Sequence, residues 1–216
     1  MPQRFVVFDA MGVLYRHGNV VRDVLLPYLR DHGCTRTEAE IREVYRRCTL
    51  GEISTGELWA SLGVAGTAND ADYCQRHELT PDAPQTLQKL QEAGITPLVL
   101  TNDAGPWSEQ LRHRFDLDTH VAAWFVSSEI GARKPDPAAY QPVLAHPGLD
   151  PARTPFVDDR PTNLLAARAA GFQPVLFHSD DTDANLEAGF QPPLIRSMSE
   201  LWKYLTATDR GVRPFR

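Results

Sequence analysis

The sequence has 216 residues, a length that fits one main domain and a small second one. Hydrophobic residues make up 42% of the chain and charged residues 23%, a balance typical of folded globular proteins and not of disordered ones. The formal net charge of −6 argues against a nucleic-acid partner, because nucleic-acid-binding proteins present basic surfaces. Apolar runs stay far below the ~20 residues that cross a bilayer, so we expect no membrane partner and a cytoplasmic location.

Short apolar segments alternate with helical patterns along much of the chain. These segments lack polar alternation, which is typical of parallel strands that are buried on both faces of a sheet. They comprise residues 5–8, 97–100, 124–126, 155–157 and 174–177. Two of the helical patterns end at Gly94 and Gly171, and glycine commonly follows the last turn of a helix. The alternation predicts an α/β fold with a doubly wound parallel sheet.

Residues 19–79 break this alternation, because they contain no convincing strand pattern. Two hydroxyl residues there stand three positions before a glutamate, as in the capping boxes that begin helices: Thr37 with Glu40, and Ser54 with Glu57. Glutamates and arginines at i,i+4 spacing should pair on the second helix: Glu38 with Arg42, and Glu43 with Arg47. We expect an α/β core of residues 1–13 and 80–216. A small all-helical cap of residues 14–79 should cover the carboxyl end of the first strand.

Residues that can carry chemistry occur at four places near the ends of predicted strands. They are Asp9, Thr101 with Asn102, Lys134 between Arg133 and Pro135, and the pair Asp158-Asp159 followed by Asn163. A carboxylate just past a buried strand is well placed to act as a nucleophile or a metal ligand. A lysine suits a phosphate, and two adjacent carboxylates need a cation because like charges repel. The carboxyl ends of parallel strands hold the ligand site in open α/β sheets, so these groups should meet there.

In this order and wording, the four motifs resemble those of the haloacid dehalogenase-like hydrolase superfamily. The match covers most of the chain, with Asp9, Thr101, Lys134 and the pair Asp158-Asp159 standing at motifs one to four. The wide gap between the first two motifs is similar to that of members with a helical cap of the first type. The resemblance implies a Rossmann-like core, a helical cap and a hydrolase that acts on a small phosphorylated metabolite. Monomer and homodimer both stay open.

The resemblance also implies a role for each motif residue. Asp9 would attack phosphorus and form an aspartyl-phosphate, while Thr101 and Lys134 bind the transferring oxygens with help from Asn102. The expected Mg²⁺ ligands are Asp9, the backbone carbonyl of Met11 and Asp159, with Asp158 and Asn163 orienting them. Trp107 follows the Thr101-Asn102 loop and could roof the substrate.

Met11 is the main departure from the family pattern, because phosphatases of the family usually have aspartate there. That aspartate protonates the leaving oxygen and then activates water, and a thioether does neither. Three interpretations stay open. The substrate has a good leaving group, such as an acyl phosphate, an anhydride or a sugar 1-phosphate. Alternatively, His17 replaces the aspartate, or catalysis is weak and the protein serves to bind a phosphate or a partner.

Metal-free 2-haloacid dehalogenases also lack that aspartate, and they are a second alternative. Their fourth motif is rich in serine and asparagine, whereas this chain has Asp158-Asp159. Three carboxylates without a cation would disfavour the ionised form of an attacking Asp9. The sequence therefore favours the phosphatase chemistry over the dehalogenase chemistry.

Overall fold

A computed structural model describes residues 3–179 and 190–207 of the chain. Its centre is a six-stranded parallel sheet in the order β3-β2-β1-β4-β5-β6. The strands are β1 (Arg4–Phe8), β2 (Ile95–Thr101), β3 (Ala123–Val126), β4 (Pro155–Asp158), β5 (Gln173–Phe177) and β6 (Leu194–Ile195). The five predicted strands are confirmed. The sixth has two residues, too short to leave an apolar run in the sequence.

Helices cover both faces of this sheet. They are α1 (Leu26–Asp31), α2 (Glu38–Thr49), α3 (Thr55–Ser61), α4 (Asp70–Gln75), α5 (Ala83–Glu92), α6 (Gly105–Arg114), α7 (Ser127–Ile130), α8 (Gln141–Leu144), α9 (Pro161–Ala169) and α10 (Met198–Ala207). A π-helical turn at Val21–Leu25 leads into α1, and 3-10 turns occur at Leu117–Thr119, Pro137–Tyr140 and Pro151–Arg153. The doubly wound α/β architecture is therefore confirmed.

The hydrophobic core has two layers, one on each face of the sheet. Successive side chains of a strand point to opposite faces. Val6 and Phe8 accordingly belong to a core that includes α5, α6 and α10. Phe5 and Val7 belong to a second core with α8 and α9. The first core continues into the helices that precede β2, so these helices pack on the sheet domain.

The strand order places the start of the chain at the centre of the sheet. β1 pairs with β2 on one side and with β4 on the other, so the order reverses beside β1. In open α/β sheets a ligand binds outside the carboxyl ends of the strands at such a reversal. Asp9 and Asp158 lie at these ends, and the backbone N–H of Asp9 donates to the carbonyl of Val157 at 2.8 Å.

Residues 21–75, which we call the helical segment, contain helices and turns between β1 and β2 and no strand. Both capping boxes form, because each hydroxyl accepts from the backbone of its glutamate and each glutamate accepts in return. The pair of Glu38 with Arg42 also forms, at 2.8 Å. The predicted pair of Glu43 with Arg47 does not form. Glu43 pairs instead with Arg46 at 2.8 Å, and Glu52, which lies beyond the end of α2, contacts Arg47.

A buried aromatic cluster fastens the helical segment to the core. The indole of Trp107 in α6 contacts the rings of Tyr45, Trp59 and Tyr73 of the helical segment. Asp70 joins the two parts, because its Oδ1 accepts from the indole nitrogens of Trp59 and Trp107, both at 2.8 Å. The helical segment is therefore tied to the sheet domain by polar bonds as well as by apolar packing.

Candidate functional site

Three buried carboxylates meet at the carboxyl ends of β1 and β4. Each of Asp9, Asp158 and Asp159 offers an oxygen that lies within 4.8 Å of the others. Burial, together with the neighbouring negative charges, raises the pKa of Asp159 to about 8. Burial also raises the pKa of Asp9 to about 6, although Lys134 opposes this effect. The cluster therefore favours the binding of a cation, which would allow all three groups to ionise.

Lys134 supplies one positive charge to this cluster. Its side chain is fully buried, and its Nζ lies 2.7 Å from Oδ2 of Asp158 and 2.9 Å from Oδ1 of Asp9. Burial alone would lower the pKa of Lys134, but the two carboxylates raise it, so the lysine is charged at neutral pH. Asn102 fixes the lysine backbone, since its amide accepts from the N–H of Lys134 and donates to the carbonyl, both at 2.9 Å.

The two carboxylates at the end of β4, Asp158 and Asp159, differ in how many of their oxygens accept hydrogen bonds. Both oxygens of Asp158 accept from Nδ2 of Asn163 at 3.1 Å, and its Oδ1 also accepts from the backbone N–H of Arg160. In Asp159, Oδ2 accepts from the hydroxyl of Ser179 at 3.1 Å. Oδ1 of Asp159 is buried and has no partner among the described residues. Asp158 is thus held in place, while Asp159 keeps an oxygen free for a ligand.

Gly12 leaves room for the carboxylate of Asp159. Its φ is +80°, a conformation that glycine adopts without strain. A Cβ atom at this position would lie only 2.3 Å from Oδ2 of Asp159. The turn after β1 therefore requires glycine for both its backbone angle and its approach to Asp159.

Thr101 and Met11 complete the immediate surroundings. Thr101 ends β2 and is buried, and its hydroxyl has no hydrogen-bond partner among residues 3–179 and 190–207. An unpaired buried hydroxyl is costly, so it is available to a ligand oxygen. Met11 lies in the turn after β1 and lines the adjacent cavity. A thioether at this position offers no ionisable group.

A cavity of about 160 Å³ opens beside Asp9, the member of the carboxylate cluster that lines it. Asp9, Asn102 and Asn163 lie at its core side, and the helical segment contributes another wall through α2. Four arginines line the same cavity: Arg42, Arg46, Arg133 and Arg160. Sequence reasoning missed this set, because Arg42 had an expected partner in Glu38 and nothing in the motif pattern indicated where the other side chains point. The cavity therefore brings four guanidinium groups together with one carboxylate, that of Asp9.

Trp107 and His17 do not line this cavity. The expectation that Trp107 roofs the substrate is corrected by its position, since it is fully buried in the aromatic cluster. Its ring stacks on Tyr45 with centroids 6.2 Å apart, and Tyr45 itself lines the cavity. Trp107 thus supports the wall from behind. His17 is half-buried beside Gly18, a lining residue, but is itself absent from the lining.

Comparisons with known proteins identify a family and several relatives of this chain. The family model of the haloacid dehalogenase-like hydrolases matches residues 4–171. The sesquiterpene phosphatase astK of Aspergillus oryzae is 32% identical over 179 residues, 76% of this chain and 85% of that protein. A probable phosphoglycolate phosphatase of Pseudomonas putida is 34% identical over 133 residues, 59% of this chain and 53% of that protein. The structure of L-2-haloacid dehalogenase from Xanthobacter autotrophicus aligns with a TM-score of 0.65 at 22% identity, over 95% of this chain and 99% of that chain.

The chain belongs to the haloacid dehalogenase-like hydrolases, as the family match over most of its length shows. The resemblance carried by the four motifs is therefore confirmed, and so is the Rossmann-like fold. Relatives that bear phosphatase names agree with a hydrolase. Among the residues that the structure describes, every helix is too short or too polar to span a bilayer.

Proposed function

We propose that the protein is a Mg²⁺-dependent phosphatase that hydrolyses a small phosphorylated molecule through an aspartyl-phosphate on Asp9. The observation that carries this proposal is the position of Asp9, which contacts Lys134 at 2.9 Å on the floor of a cavity lined by arginines. A phosphorylated molecule in this cavity would meet cations on its oxygens and a carboxylate at its phosphorus. Such an arrangement supplies the positioning and the charge stabilisation on which phosphoryl transfer depends.

The residues present fit a magnesium ion. Oδ1 of Asp159 is buried without a partner among the described residues, and Asp9 lies within the same group of oxygens. Hard oxygen ligands of this kind are those that Mg²⁺ prefers. Asp9, Asp159 and the backbone carbonyl of Met11 would hold the ion, and Asp158 would orient this set of ligands. When bound, the ion would offset the carboxylate charges and polarise a phosphoryl oxygen.

The chain's own residues would carry out two steps. In the first, a carboxylate oxygen of Asp9 bonds to phosphorus while the bond from phosphorus to the leaving oxygen breaks. Lys134 and the free hydroxyl of Thr101 bind the transferring oxygens and stabilise their charge. In the second, water attacks the phosphorus of the aspartyl-phosphate, releasing phosphate and restoring Asp9. Asn102 acts through Lys134, because its amide fixes the lysine backbone.

We also propose that residues 14–79 act as a cap over a core of residues 1–13 and 80–216. Arg42, Tyr45 and Arg46 of α2 line the cavity opposite Asp9, which supports this division. The small phosphorylated substrate would then lie between cap and core. Its identity would depend on the side chains that the cap presents.

Two other functions compete with this proposal. Met11 removes the usual acid–base group, which favours a protein that binds a phosphate or a partner without turnover. The fold likeness to a haloacid dehalogenase favours a metal-free reaction at carbon. Against the second, three buried carboxylates meet here with one lysine among them, which suits a bound divalent cation better than its absence.

The experiment that tests the proposal measures release of inorganic phosphate from phosphoesters and acyl phosphates, with and without Mg²⁺. The variant Asp9→Asn serves as the blank, and Asp31→Asn, an exposed carboxylate on α1, serves as the matched control. We expect Mg²⁺-dependent release that Asp9→Asn abolishes and Asp31→Asn leaves unchanged. If folded protein releases no phosphate from any substrate, the proposal is wrong. Halide release from 2-haloacids without metal would then establish the dehalogenase.

A further inference from the structure

Two guanidinium groups beside the cavity have no acidic partner. The guanidinium of Arg133 donates to the hydroxyl of Thr49 and lies over the ring of Tyr45, 5.6 Å from its centroid. Arg160 donates to the carbonyl of Gly18 at 2.9 Å. Within residues 3–179 and 190–207, no carboxylate lies within 4.0 Å of either guanidinium. Burial is the main cause that lowers the pKa of Arg133, and the longer-range attraction of Asp103 does not offset it.

Two further arginines reach the cavity from α2. Arg42 and Arg46 pair with Glu38 and Glu43, whose side chains are exposed to solvent. Arg46 also lies 3.5 Å from the exposed Glu52. Exposed ion pairs of this kind contribute little free energy, so an anion in the cavity can compete with these glutamates for both guanidiniums. Lys134, by contrast, has two of its three N–H donors directed at Asp9 and Asp158, so it can offer only one to the transferring phosphoryl group. The arginines therefore form a separate cationic wall on the side where a leaving group would lie.

The lack of an acid at Met11 indicates what these arginines would do in the reaction. A leaving oxygen that receives no proton must depart as an anion, and Met11 has no proton to donate. Guanidinium groups stabilise such an anion electrostatically and bind phosphate oxygens in bidentate fashion. The structure thus combines the loss of the usual acid with an excess of positive charge beside the reacting group.

We propose that the substrate is an organic diphosphate, and that Arg133 and Arg160 bind the phosphate that becomes the leaving group. This proposal rests on the function proposed above. The Asp9 oxygen bonds to the terminal phosphorus, and the bond from that phosphorus to the bridging oxygen breaks. The bridging oxygen keeps the electron pair, so the organic monophosphate departs as an anion without needing a proton. Water then releases the terminal phosphoryl group as inorganic phosphate.

The cavity also contains apolar residues that can contact the organic part of such a substrate. Met11, Val20 and Val21 line the same cavity as the arginines. A cavity lined by both apolar residues and guanidiniums suits a molecule with an organic group attached to a polyanion. A substrate with a single phosphate and a neutral leaving group would leave Arg133 and Arg160 without an anion in direct contact.

The test compares four substrates in Mg²⁺: phenyl diphosphate, phenyl phosphate, p-nitrophenyl phosphate and acetyl phosphate. We expect kcat/KM for phenyl diphosphate to exceed that for phenyl phosphate by about 100-fold or more, the scale on which a missing general acid acts. The p-nitrophenyl ester has a good leaving group but no second phosphate group. It therefore separates the effect of leaving-group quality from that of anion recognition.

Two variants locate the recognition in the arginines. Arg133→Met and Arg160→Met should each lower kcat/KM for phenyl diphosphate by about 10-fold or more, with the larger part of the loss in kcat because charge develops on the leaving group. Both should lower kcat/KM for p-nitrophenyl phosphate by a clearly smaller factor, because that substrate has no second phosphate for the two arginines to bind. Arg47→Met is the matched control, because Arg47 lies on α2 and pairs with Glu52 outside the cavity lining. It should change neither rate.

A binding measurement on inactive protein supplies an independent readout. In the Asp9→Asn background, calorimetry should show that phenyl methylenediphosphonate, which cannot be hydrolysed at its bridge, binds more tightly than inorganic phosphate. Arg133→Met should remove this difference. Equal values of kcat/KM for the phenyl monoester and diphosphate would overturn the diphosphate proposal, as would equal losses on both aryl substrates in Arg133→Met. A clear preference for acetyl phosphate over phenyl diphosphate would also overturn it and point to a carboxylate leaving group.

The outcomes separate this inference from the proposed function. Mg²⁺-dependent hydrolysis of p-nitrophenyl phosphate that Asp9→Asn abolishes upholds the phosphatase even when phenyl diphosphate shows no advantage. Release of phosphate from none of the four substrates by folded protein overturns both. If Asp9→Asn still releases phosphate from phenyl diphosphate, Asp9 is not the nucleophile. The calorimetry would then decide whether the arginines bind the second phosphate.

Discussion

Nζ of Lys134 lies 2.7 Å from Oδ2 of Asp158, and neither side chain is exposed to solvent. A buried ion pair of this kind costs desolvation free energy that its own attraction barely repays. The pair also contacts Asp9, where an ionised carboxylate is needed for nucleophilic attack. Apolar side chains would stabilise the fold at these positions equally well. The lysine is therefore best explained by its charge, which favours the ionised form of the carboxylates around it.

Substituting Lys134→Met should remove the cation that keeps Asp9 ionised and that would bind the transferring oxygens. We expect phosphate release to fall by about 10²–10³-fold, the usual effect of deleting one charge-stabilising group. The measurement is the rate of phosphate release at saturating Mg²⁺, with circular dichroism to verify that the variant folds. Lys89→Met, on the exposed face of α5, is the control. A folded Lys134→Met protein that keeps a third of the wild-type rate would show that the lysine has no such role.

The strands and the four motifs could be predicted because the physics of a parallel sheet leaves a plain pattern. A strand buried on both faces is a continuous apolar run, and Phe8 and Val157 are parts of such runs. The ligand site of such a sheet lies at the carboxyl ends of its strands, so Asp9 and Asp158 stood out as the first polar residues there. The sequence was therefore sufficient to predict those site residues whose positions follow from the carboxyl ends of the strands alone.

Other parts of the site depend on how the helical segment packs, which the sequence does not reveal. Trp107 was expected over the substrate, yet its indole bonds to Asp70 in the helical segment, behind the wall formed by Tyr45. Arg133 stands next to Lys134 in the third motif, yet its guanidinium donates to the hydroxyl of Thr49 in α2. Ser179, which contacts Asp159, lies after β5 in a stretch without any motif. Each of these contacts joins segments that are distant in the chain.

Asp103 should make the free energy of unfolding depend on pH. Burial raises its pKa from 3.8 to about 7, and its Oδ2 has no partner among the described residues. Between pH 3.8 and 7 the folded protein therefore binds more protons at this site than the unfolded chain does. Stability is accordingly lost as the pH rises through that range.

The variant Asp103→Asn removes this dependence. We expect it to raise the free energy of unfolding at pH 8 by about 1–3 kcal/mol, part of the gain being offset by an amide N–H₂ that lacks an acceptor. Near pH 4 the two proteins should be similar. Urea denaturation at both pH values gives the comparison, with the exposed Asp136→Asn as the control. A variant that is less stable than wild type at pH 8 would show that the ionised carboxylate is stabilised by its surroundings.

Met11→Asp should restore an acid–base group at the wall of the cavity. We expect turnover of phenyl phosphate to rise by about 10-fold or more, because that leaving group needs a proton. Phenyl diphosphate should gain far less, since its leaving group departs as an anion. Met11→Asn, similar in size but unable to transfer a proton, is the matched control. Equal gains with aspartate and asparagine would mean that polarity or space at position 11, and not proton transfer, limits the rate.

Asp70 should contribute several kcal/mol to the free energy of unfolding, because three donors converge on its carboxylate. Its Oδ1 accepts from the indoles of Trp59 and Trp107, and its Oδ2 accepts from the hydroxyl of Thr55 at 2.7 Å. Each donor left unpaired in a buried position costs about 1–3 kcal/mol. Asp70→Leu should therefore lower the free energy of unfolding by about 3–5 kcal/mol, whereas Asp70→Asn, which keeps an acceptor for the indoles, should cost about 1 kcal/mol.

The position of these bonds makes the same variant a test of how firmly the helical segment is held. Trp107 belongs to α6 of the sheet domain and Trp59 to the helical segment, so Asp70 links the two. We expect Asp70→Leu to lower the denaturant midpoint of the helical segment and of the sheet domain together, as one cooperative transition. Asp72→Leu, on the exposed side of α4, should change stability by less than about 1 kcal/mol. Two separate transitions in Asp70→Leu would mean that this carboxylate is what couples the unfolding of the two parts, since the apolar contacts of Trp107 would remain.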